Sequence, residues 1–420
     1  MIGRRAALGA AMAAWLAGAG GGPVLAQAAD AGAGAIGRVA DDALRFDRFV
    51  AKLREEARGL GISEATMTRA FSGVSHDPEV AELNANQTEI VRTVGEYLSL
   101  VVSDARVETG RQMLATHDDL LKRIEQRFGV DRHIVVAIWG VETSYGANLG
   151  ERGVVRSLAT LAALDPRRAA FWRTELIAAL RLIERGHAPA ERWVGSWAGA
   201  SGHTQFMPTT LTRHAVDFDA TGRIDLWSRP DDALASAAAY IAASGWLAEV
   251  PPMFEVGLPQ GFDLMLAAPT VERTIAQWRA LSVRIEDERA RGDISGAIVL
   301  PAGHAGPAFL VTDSFRAILR YNNATPYAIS VAHLAQRIAG QGPIAQPWPA
   351  GDRALARAER EDLQRLLITR GQQIGDVDGI IGTQTRAAIR VVQRELGLPP
   401  DGHPSGALLE ALRAATARSP

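Results

Sequence analysis

The chain has 420 residues, 47% of them hydrophobic and 22% charged, which is enough for a substantial core and more than one folded unit. Its 45 lysines and arginines nearly balance 47 aspartates and glutamates, so the net charge of -2 excludes the basic field that sequence-independent nucleic-acid binding requires. No cysteine occurs, which excludes a disulfide framework, thiolate metal ligands, a cysteine nucleophile and a lipidated N-terminal cysteine.

Residues 1–28 have the pattern of a signal peptide. Arg4 and Arg5 precede an apolar stretch that ends at Ala26-Gln27-Ala28, so we expect cleavage there and a mature chain beginning at Ala29. A membrane anchor is disfavoured because several glycines and Pro23 interrupt the apolar run. We therefore expect a soluble periplasmic protein without a membrane anchor, exported by either the general or the twin-arginine route.

Apolar residues at steps of three and four predict helices through most of residues 41–340. Examples are FDRFVAKLREEARGLGI, DDLLKRIEQRFGV, AAFWRTELIAALRLIERGH and PDDALASAAAYIAASGW. Between about residues 251 and 313 the β-prone runs GFDLMLA, GAIVLPAG and PAFLVTD are bounded by Gly and Pro and predict a small inserted sheet. The fold class expected for this part is mainly α (α+β).

The C-terminal part reads as a linker followed by a small helical module. Residues 341–352 contain three prolines in QGPIAQPWPAG and no periodicity, which is typical of a linker. Within residues 353–416 two stretches are similar: each runs from a Leu-Gln or Val-Gln helix into an Asp-Gly turn and a further helix. We expect a module built from an imperfect repeat.

Glu142 is the acidic residue of the otherwise apolar stretch AIWGVETSYG. On a helix it shares a face with Ile138, Trp139 and Tyr145, and desolvation there would raise its pKa into the range that suits a general acid. Such an acid could protonate a glycosidic oxygen. The alternative from the local pattern alone is a glutamate on a partly exposed helix face or at a turn.

Residues 196–227 mix Gly, Ser, Thr and Gln with aromatic residues, a composition typical of a polar, aromatic-lined groove that binds carbohydrate. An ordinary glycine-rich loop has the same composition, so both interpretations stand. Neither His203 nor His214 has a second histidine or an acid at convincing ligand spacing, which argues against a histidine metal site.

Within that stretch DFDATGRID matches part of a calcium loop. Asp217, Asp219 and Asp225 fall at relative positions one, three and nine, but Ser228 stands at position twelve in place of a bidentate glutamate. The pattern predicts at most a weak site for a calcium or sodium ion. A turn stabilised by aspartate side chains is the alternative.

The motifs together resemble a known family. AIWGVETSYG, SWAGASGHTQFMPTTL, AVDFDATGRIDLW, DALASAAAYIAASGW and ILRYNNATPYAISVAHLAQRI, in this order between about Phe46 and Gly340, are similar to a lytic murein transglycosylase of the membrane-bound-transglycosylase-B type. The tail, with GDVDGIIGTQTRAAI, resembles the three-helix peptidoglycan-binding module often joined to such enzymes.

The resemblance implies a lysozyme-like catalytic domain that cleaves the β-1,4 bond between N-acetylmuramic acid and N-acetylglucosamine and releases 1,6-anhydromuramoyl products. It implies that Glu142 is the sole acid/base and that no cofactor is required. It also implies the following groove residues: Tyr97, Ser196, Gln205, Tyr240, Tyr321, Asn322 and Tyr327. The expected partners are peptidoglycan glycan strands and other cell-wall enzymes, with the chain acting as a monomer.

Two other functions are compatible with parts of this pattern. A hydrolytic muramidase would need a second carboxylate across the groove, for which Asp217 and Asp219 are the candidates by sequence. A non-catalytic peptidoglycan-binding scaffold would keep the module but lose turnover, and the intact Glu142 and Gln205 argue against it. The sequence also departs from the family at His203, where a smaller or amide residue is common, and at Val392, where an aromatic is usual.

Overall fold

The computed structural model describes residues 30–86 and 92–417, so the predicted signal peptide lies outside the described residues. The described chain is mainly helical with two small antiparallel sheets, which confirms the predicted fold class. Within it no helix combines the length and apolar character that crossing a bilayer would need.

Helices account for most of the described residues before residue 340. In chain order they are α1 (Asp30–Ala57), α2 (Glu64–Ala70), α3 (Pro78–Asn86), α4 (Val94–Val101), α5 (Asp104–Thr116), α6 (Asp118–Phe128), α7 (Arg132–Thr143), α8 (Val154–Leu164), α9 (Ala169–Glu184), α10 (Pro208–His214), α11 (Pro230–Ala243), α12 (Ile275–Ala280), α13 (Asp313–Tyr321) and α14 (Thr325–Ile338). Several begin at a side-chain cap: Ser63 caps α2, Thr93 forms a capping box with Glu96 on α4, and Asp131 accepts the His133 N–H on α7.

The helices bury two apolar cores on either side of a polar loop region. One core takes its buried side chains mainly from α5, α6, α7, α11, α13 and α14, and the other from α1, α2, α8 and α9. The half-buried Tyr321 packs against both cores. Tyr321 is therefore held in place by both cores.

A four-stranded sheet is inserted between α11 and α13. Its strands are β3 (Met253–Val256), β4 (Glu272–Thr274), β5 (Ser295–Val299) and β6 (Ala308–Val311), in the antiparallel order β3-β6-β5-β4, while β1 (Arg152–Gly153) and β2 (Val194–Gly195) form a separate pair. The predicted runs GAIVLPAG and PAFLVTD contain β5 and β6.

The strand expected at GFDLMLA is wrong. That segment forms a 3-10 turn at Leu264–Leu266, because the Asp263 side chain accepts the Met265 N–H and bends the chain. The sheet takes β3 and β4 in its place, two short strands without a clear alternation of polar and apolar residues.

Residues 341–352 contain neither helix nor strand, but they pack on the preceding domain. The Glu255 carboxylate accepts the N–H groups of Ala345 (2.9 Å) and Gln346 (2.8 Å). The Trp348 ring lies against Gly95 so closely that a Cβ there would be 2.7 Å from its Cγ. We call residues 341–352 the strap, because these contacts hold the segment against the preceding domain.

The C-terminal module consists of α15 (Arg357–Thr369), α16 (Thr383–Glu395) and α17 (Gly406–Ala417), with a small core of its own. Its internal repeat has a physical basis, because a helical glutamine holds each Asp-Gly turn. The Gln364 amide donates to Asp378 (2.9 Å) and accepts from the Gly379 N–H (2.7 Å). The Gln393 amide makes the same pair of contacts, both at 2.8 Å, with the Asp401-Gly402 turn.

The module contacts the inserted sheet region directly. Asp401 Oδ2 accepts the backbone N–H of His304 (3.0 Å) and faces its ring nitrogen at 2.8 Å. The Arg390 guanidinium donates to the Ala267 carbonyl (2.6 Å). Asp401 therefore closes a turn of the module and joins the module to the sheet region.

We expect Gln393→Ala to destabilise the module by about 1–3 kcal/mol, because it leaves the buried Gly402 N–H without its partner and removes one of the hydrogen bonds to Asp401 Oδ1. Urea unfolding of the full chain measures this change. The matched control is Gln384→Ala, at an exposed position on the same helix. Equal midpoints for the two variants would contradict the role assigned to Gln393.

Candidate active site

Glu142 lies in the last turn of α7, whose residues from Ile134 to Thr143 are all buried. Its side chain is 3% exposed. The helix stops immediately afterwards in an unusual corner, because Ser144 (φ 50°) and Tyr145 (φ 62°) both adopt left-handed backbone without being glycine. Such strain persists only where the surroundings determine it, and it marks candidate functional sites.

The side chains of Tyr145 and Thr143 hold this corner in place. The Tyr145 hydroxyl donates to the Arg106 carbonyl (2.7 Å), and its ring covers Gly140, where a Cβ would lie 2.5 Å from the Tyr145 Cζ. The Thr143 hydroxyl donates to the His203 carbonyl (2.7 Å), and the Thr143 oxygen accepts the Gly146 N–H (3.0 Å). The carboxyl of Glu142 is thus carried on a rigid turn.

Tyr327 on α14 supplies the direct partner of that carboxyl. The Tyr327 hydroxyl donates to Glu142 Oε1 at 2.7 Å, and both side chains are buried. Burial raises the pKa of Glu142 to about 8, and the Tyr327 hydrogen bond opposes this by stabilising the ionised form. At neutral pH the group is therefore mostly protonated and can donate a proton.

No second carboxyl takes part in this balance within the described chain. Burial and the Tyr327 hydrogen bond account for the pKa of Glu142, with no contribution from an aspartate or another glutamate. Asp217 and Asp219, the sequence candidates for a second acid, are engaged in their own loop. The pKa of Glu142 is therefore set by its burial and by Tyr327.

A row of three tyrosines leads away from Glu142. The rings of Tyr327 and Tyr321 are stacked with centroids 6.5 Å apart, and Tyr240 follows at 5.2 Å from Tyr321. The Tyr321 hydroxyl donates to the Thr204 carbonyl (2.6 Å) and that of Tyr240 to the Arg320 carbonyl (2.7 Å). We call Tyr327, Tyr321 and Tyr240 the tyrosine row; Tyr327 is buried, and the half-buried rings of Tyr321 and Tyr240 offer aromatic surface.

Gln205 has a buried acceptor atom with no partner. It adopts left-handed backbone (φ 50°) in the turn between Ser201 and Phe206, and its Nε2 donates to the carbonyls of Gly202 (3.0 Å) and Leu149 (3.3 Å). Its Oε1 has no hydrogen-bond partner among the described residues. A ligand N–H or O–H would satisfy that oxygen.

The other predicted groove residues lie around this centre. Ser196 is buried, and its Oγ accepts the Ala200 N–H (3.2 Å), which shapes the loop that carries Gln205. Asn322 is buried at the end of α13, directly after Tyr321. Burial raises the pKa of the Tyr97 phenol on α4, and the negative charge of ionised Glu142 raises it further. The two side chains are therefore close enough to interact.

His203, which the sequence analysis disfavours as a metal ligand and identifies as a departure from the family, packs against the helix that carries the acid. Its Nδ1 accepts the indole N–H of Trp139 (3.1 Å), three residues before Glu142. Burial lowers the pKa of His203, which favours the neutral ring that this hydrogen bond requires. No local sequence pattern indicates that positions 139 and 203 meet.

The acidic loop forms a candidate cation site with an altered ligand set. Carboxylate oxygens of Asp217, Asp219 and Asp232 lie within 4.8 Å of one another. The Asp225 carboxylate instead accepts the backbone N–H groups of Trp227 and Ser228, both at 2.9 Å. Burial and then the charges of Asp219 and Asp217 raise the pKa of Asp232. Sequence reasoning missed Asp232 because an acid in the first turn of α11 also fits the helix dipole.

Comparison with known proteins gives a consistent result. Residues 45–336 match the transglycosylase SLT domain, and residues 356–412 match the putative peptidoglycan-binding domain. The structure is similar to SltB3 from Pseudomonas aeruginosa in complex with NAG-anhNAM-pentapeptide, with a TM-score of 0.84 and 45% identity over 88% of this chain and 99% of that one.

A curated protein and a solved structure from Escherichia coli are also similar. Membrane-bound lytic murein transglycosylase B is 32% identical over 248 residues, which span 58% of this chain and 66% of that protein, just under two thirds of its length. A lytic transglycosylase solved in complex with calcium has a TM-score of 0.60 and 28% identity over 70% of this chain and 92% of that one.

The burial of Glu142 predicts a pH-dependent stability difference. Its folded pKa of about 8 lies above the ordinary value of 4.5, so the folded wild type loses stability as the pH rises through that interval. Glu142→Gln removes the titration, and we expect its free energy of unfolding relative to wild type to increase between pH 4.5 and pH 8.5. Urea unfolding at both pH values measures it; a difference that stays constant would contradict the raised pKa.

Proposed function

Because this chain belongs to the transglycosylase SLT family of enzymes, we propose that it is a lytic transglycosylase acting on peptidoglycan. It cleaves the β-1,4 bond between N-acetylmuramic acid and N-acetylglucosamine and leaves 1,6-anhydromuramoyl ends. The observation that carries this proposal is the buried carboxyl of Glu142, bound to Tyr327 at 2.7 Å and protonated at neutral pH.

In the first step Glu142 donates its proton to the glycosidic oxygen as the bond from that oxygen to the anomeric carbon breaks. The carboxylate that remains is stabilised by the Tyr327 hydroxyl, which already donates to Oε1. In the second step the muramoyl C6 hydroxyl attacks the anomeric carbon and gives its proton to Glu142. The acid is thereby restored, and no water is consumed.

The lone carboxyl favours this route over hydrolysis. Glycosidases that use water employ two carboxyl groups, one as the acid and one as the nucleophile or base. An internal hydroxyl is already held close to the anomeric carbon, and this proximity replaces much of what a second carboxylate would contribute. The hydrolytic muramidase is therefore the weaker candidate.

The surrounding side chains would bind the sugar. The unpartnered Oε1 of Gln205 accepts an N–H or O–H of the substrate, and Asn322 supplies a second amide close to the tyrosine row. These amides orient the N-acetyl group, whose carbonyl supports the positive charge at the anomeric carbon. Sugar C–H faces stack on the tyrosine row, with Tyr97 and Ser196 at its margins.

The C-terminal module would hold the polymer while the catalytic domain cuts. We place the enzyme in the periplasm, exported through the signal at residues 1–28 and free of a membrane anchor, where other cell-wall enzymes are its expected partners. A monomer is the oligomeric state that we propose.

The proposal is tested by mass spectrometry of soluble products after purified sacculi are incubated with the full mature chain or with Glu142→Gln. Anhydromuramoyl ends from the wild type, reduced by a factor of about 10² or more in the variant, are expected. Reducing ends would show attack by water. Binding without soluble product would indicate the scaffold.

Removing the Gln205 amide, whose Oε1 has no partner among the described residues, should weaken catalysis without unfolding the chain. Gln205→Ala is expected to lower kcat/KM on peptidoglycan strands by about 10- to 100-fold, the effect of losing one or two buried hydrogen bonds to substrate. The control is Gln126→Ala, at an exposed position on α6. Equal kinetics for the two variants would remove Gln205 from the site.

Asp217, Asp219 and Asp232 would hold a calcium ion, whose role would be to offset the repulsion between these acids. With a dissociation constant near 1 mM, 10 mM calcium should stabilise the fold by about 1.4 kcal/mol. A rise in Tm with calcium but not magnesium, absent in Asp219→Asn and present in the exposed control Asp119→Asn, is expected. The same Tm with and without calcium would contradict an ion site.

A further inference from the structure

A cleft lined by three arginines lies between α9 and α10, with a volume of about 400 Å³. Arg181 and Arg185 come from the end of α9 and Arg213 from the last turn of α10. Arg181 Nε donates to the Leu60 carbonyl (3.1 Å), which fixes its position. None of the described residues that line the cleft is an aspartate or a glutamate.

Glu175 offsets part of the positive charge of the cleft, because its carboxylate interacts with Arg213, but it is buried and does not line the cleft. Glu175 is buried beneath α10, where its two oxygens accept the backbone N–H (2.9 Å) and the hydroxyl (2.7 Å) of Thr209. Arginines at helix ends complement the helix dipole, which explains each position singly. It does not explain why three like charges converge on one concave surface, where they repel one another. An anion bound there would offset that repulsion.

The other residues that line the cleft indicate which further groups a ligand would carry. Leu60 and Ala178 line the cleft and are partly exposed, so they provide its apolar surface. The hydroxyls of Thr174 and Thr212 donate to the carbonyls of Ala170 (2.9 Å) and Pro208 (2.8 Å), so their oxygens are left to accept. Carboxylates for the arginines, amide N–H groups for the threonines and small apolar side chains together describe an acidic peptide.

The cleft is one helix away from the tyrosine row. Thr209, Thr212 and Arg213 line the cleft, while the next residue, His214, places its ring 4.6 Å from that of Tyr240. A helix with its side chains is about 10–12 Å wide, and an extended peptide spans about 3.3–3.6 Å per residue. A peptide of three to five residues that starts in the glycan groove therefore reaches across the end of α10 into the cleft.

We propose that the cleft of Arg181, Arg185 and Arg213 binds the carboxylates of the stem peptide attached to the muramoyl lactyl group. This inference rests on the proposed function, since the glycan must lie along the tyrosine row. It predicts that the enzyme distinguishes peptide-bearing strands from strands stripped of their peptides.

The first test compares kcat/KM on peptide-bearing and amidase-stripped strands. In the double variant Arg185→Ala/Arg213→Ala the ratio of the two values is expected to fall at least about tenfold relative to wild type. The matched control, Arg48→Ala/Arg192→Ala, removes two exposed arginines elsewhere. An unchanged ratio in an active enzyme would overturn this inference alone, whereas a wild type that cleaves neither strand would overturn the proposed function.

The second test measures binding to the full mature chain by calorimetry. The probes are a synthetic stem tripeptide with free carboxylates and the same peptide with its carboxylates amidated. Binding of the charged peptide alone, lost in the double variant and kept in the control, is expected. Inorganic phosphate that binds as tightly as the charged peptide would show a general anion site and would overturn the assignment to the stem peptide.

Discussion

The hydrogen bond from Tyr327 to Glu142 is the interaction on which the site depends. It joins α7 to α14 at the point where the acid is buried, and it opposes the effect of burial on the acid's pKa. Burial alone would hold the proton too tightly, and a solvated carboxyl would have released it before neutral pH. Burial and the Tyr327 hydrogen bond together leave Glu142 with a proton that it can donate and later recover.

The rest of the catalytic domain keeps this pair in place. The strained corner at Ser144 and Tyr145 ends α7 directly after the acid, and the bond from Trp139 to His203 ties the same helix to the loop that carries Gln205. The two apolar cores meet at Tyr321, so the tyrosine row is anchored from both sides. A rigid site of this kind suits chemistry in which one group must first donate and then accept a proton.

Much of this organisation could be predicted from the sequence because it is local. The helices follow from apolar spacing, the Asp-Gly turns from their dipeptides, and the burial of Glu142 from its neighbours on one helix face. What could not be predicted depends on contacts between distant residues. Tyr327 and Glu142 are 185 positions apart in the sequence but form a hydrogen bond. Strand β3 pairs with β6, although the residues around these two strands do not indicate the pairing.

The same reason explains where the predictions differed from the structure. Asp232 joins the acidic loop only because α11 folds back on it, and the strap at residues 341–352 is fixed by Glu255, a residue of the inserted sheet. At GFDLMLA the capping side chain of Asp263 outweighs β propensity, so composition alone gives the wrong element. The candidate site residues could be proposed from the family resemblance, whereas the pKa of Glu142 depends on contacts that only the folded chain makes.

The central claim is that Glu142 is a lone acid protonated at neutral pH. The most direct measurement is a carbon-13 NMR titration of glutamate-labelled protein, with the Glu142 carboxyl assigned by its absence from the spectrum of Glu142→Gln. The account predicts a midpoint near pH 8 in the wild type and a higher one in Tyr327→Phe, which removes the hydrogen bond that favours ionisation. A midpoint near the ordinary value of 4.5, unchanged in Tyr327→Phe, would contradict it.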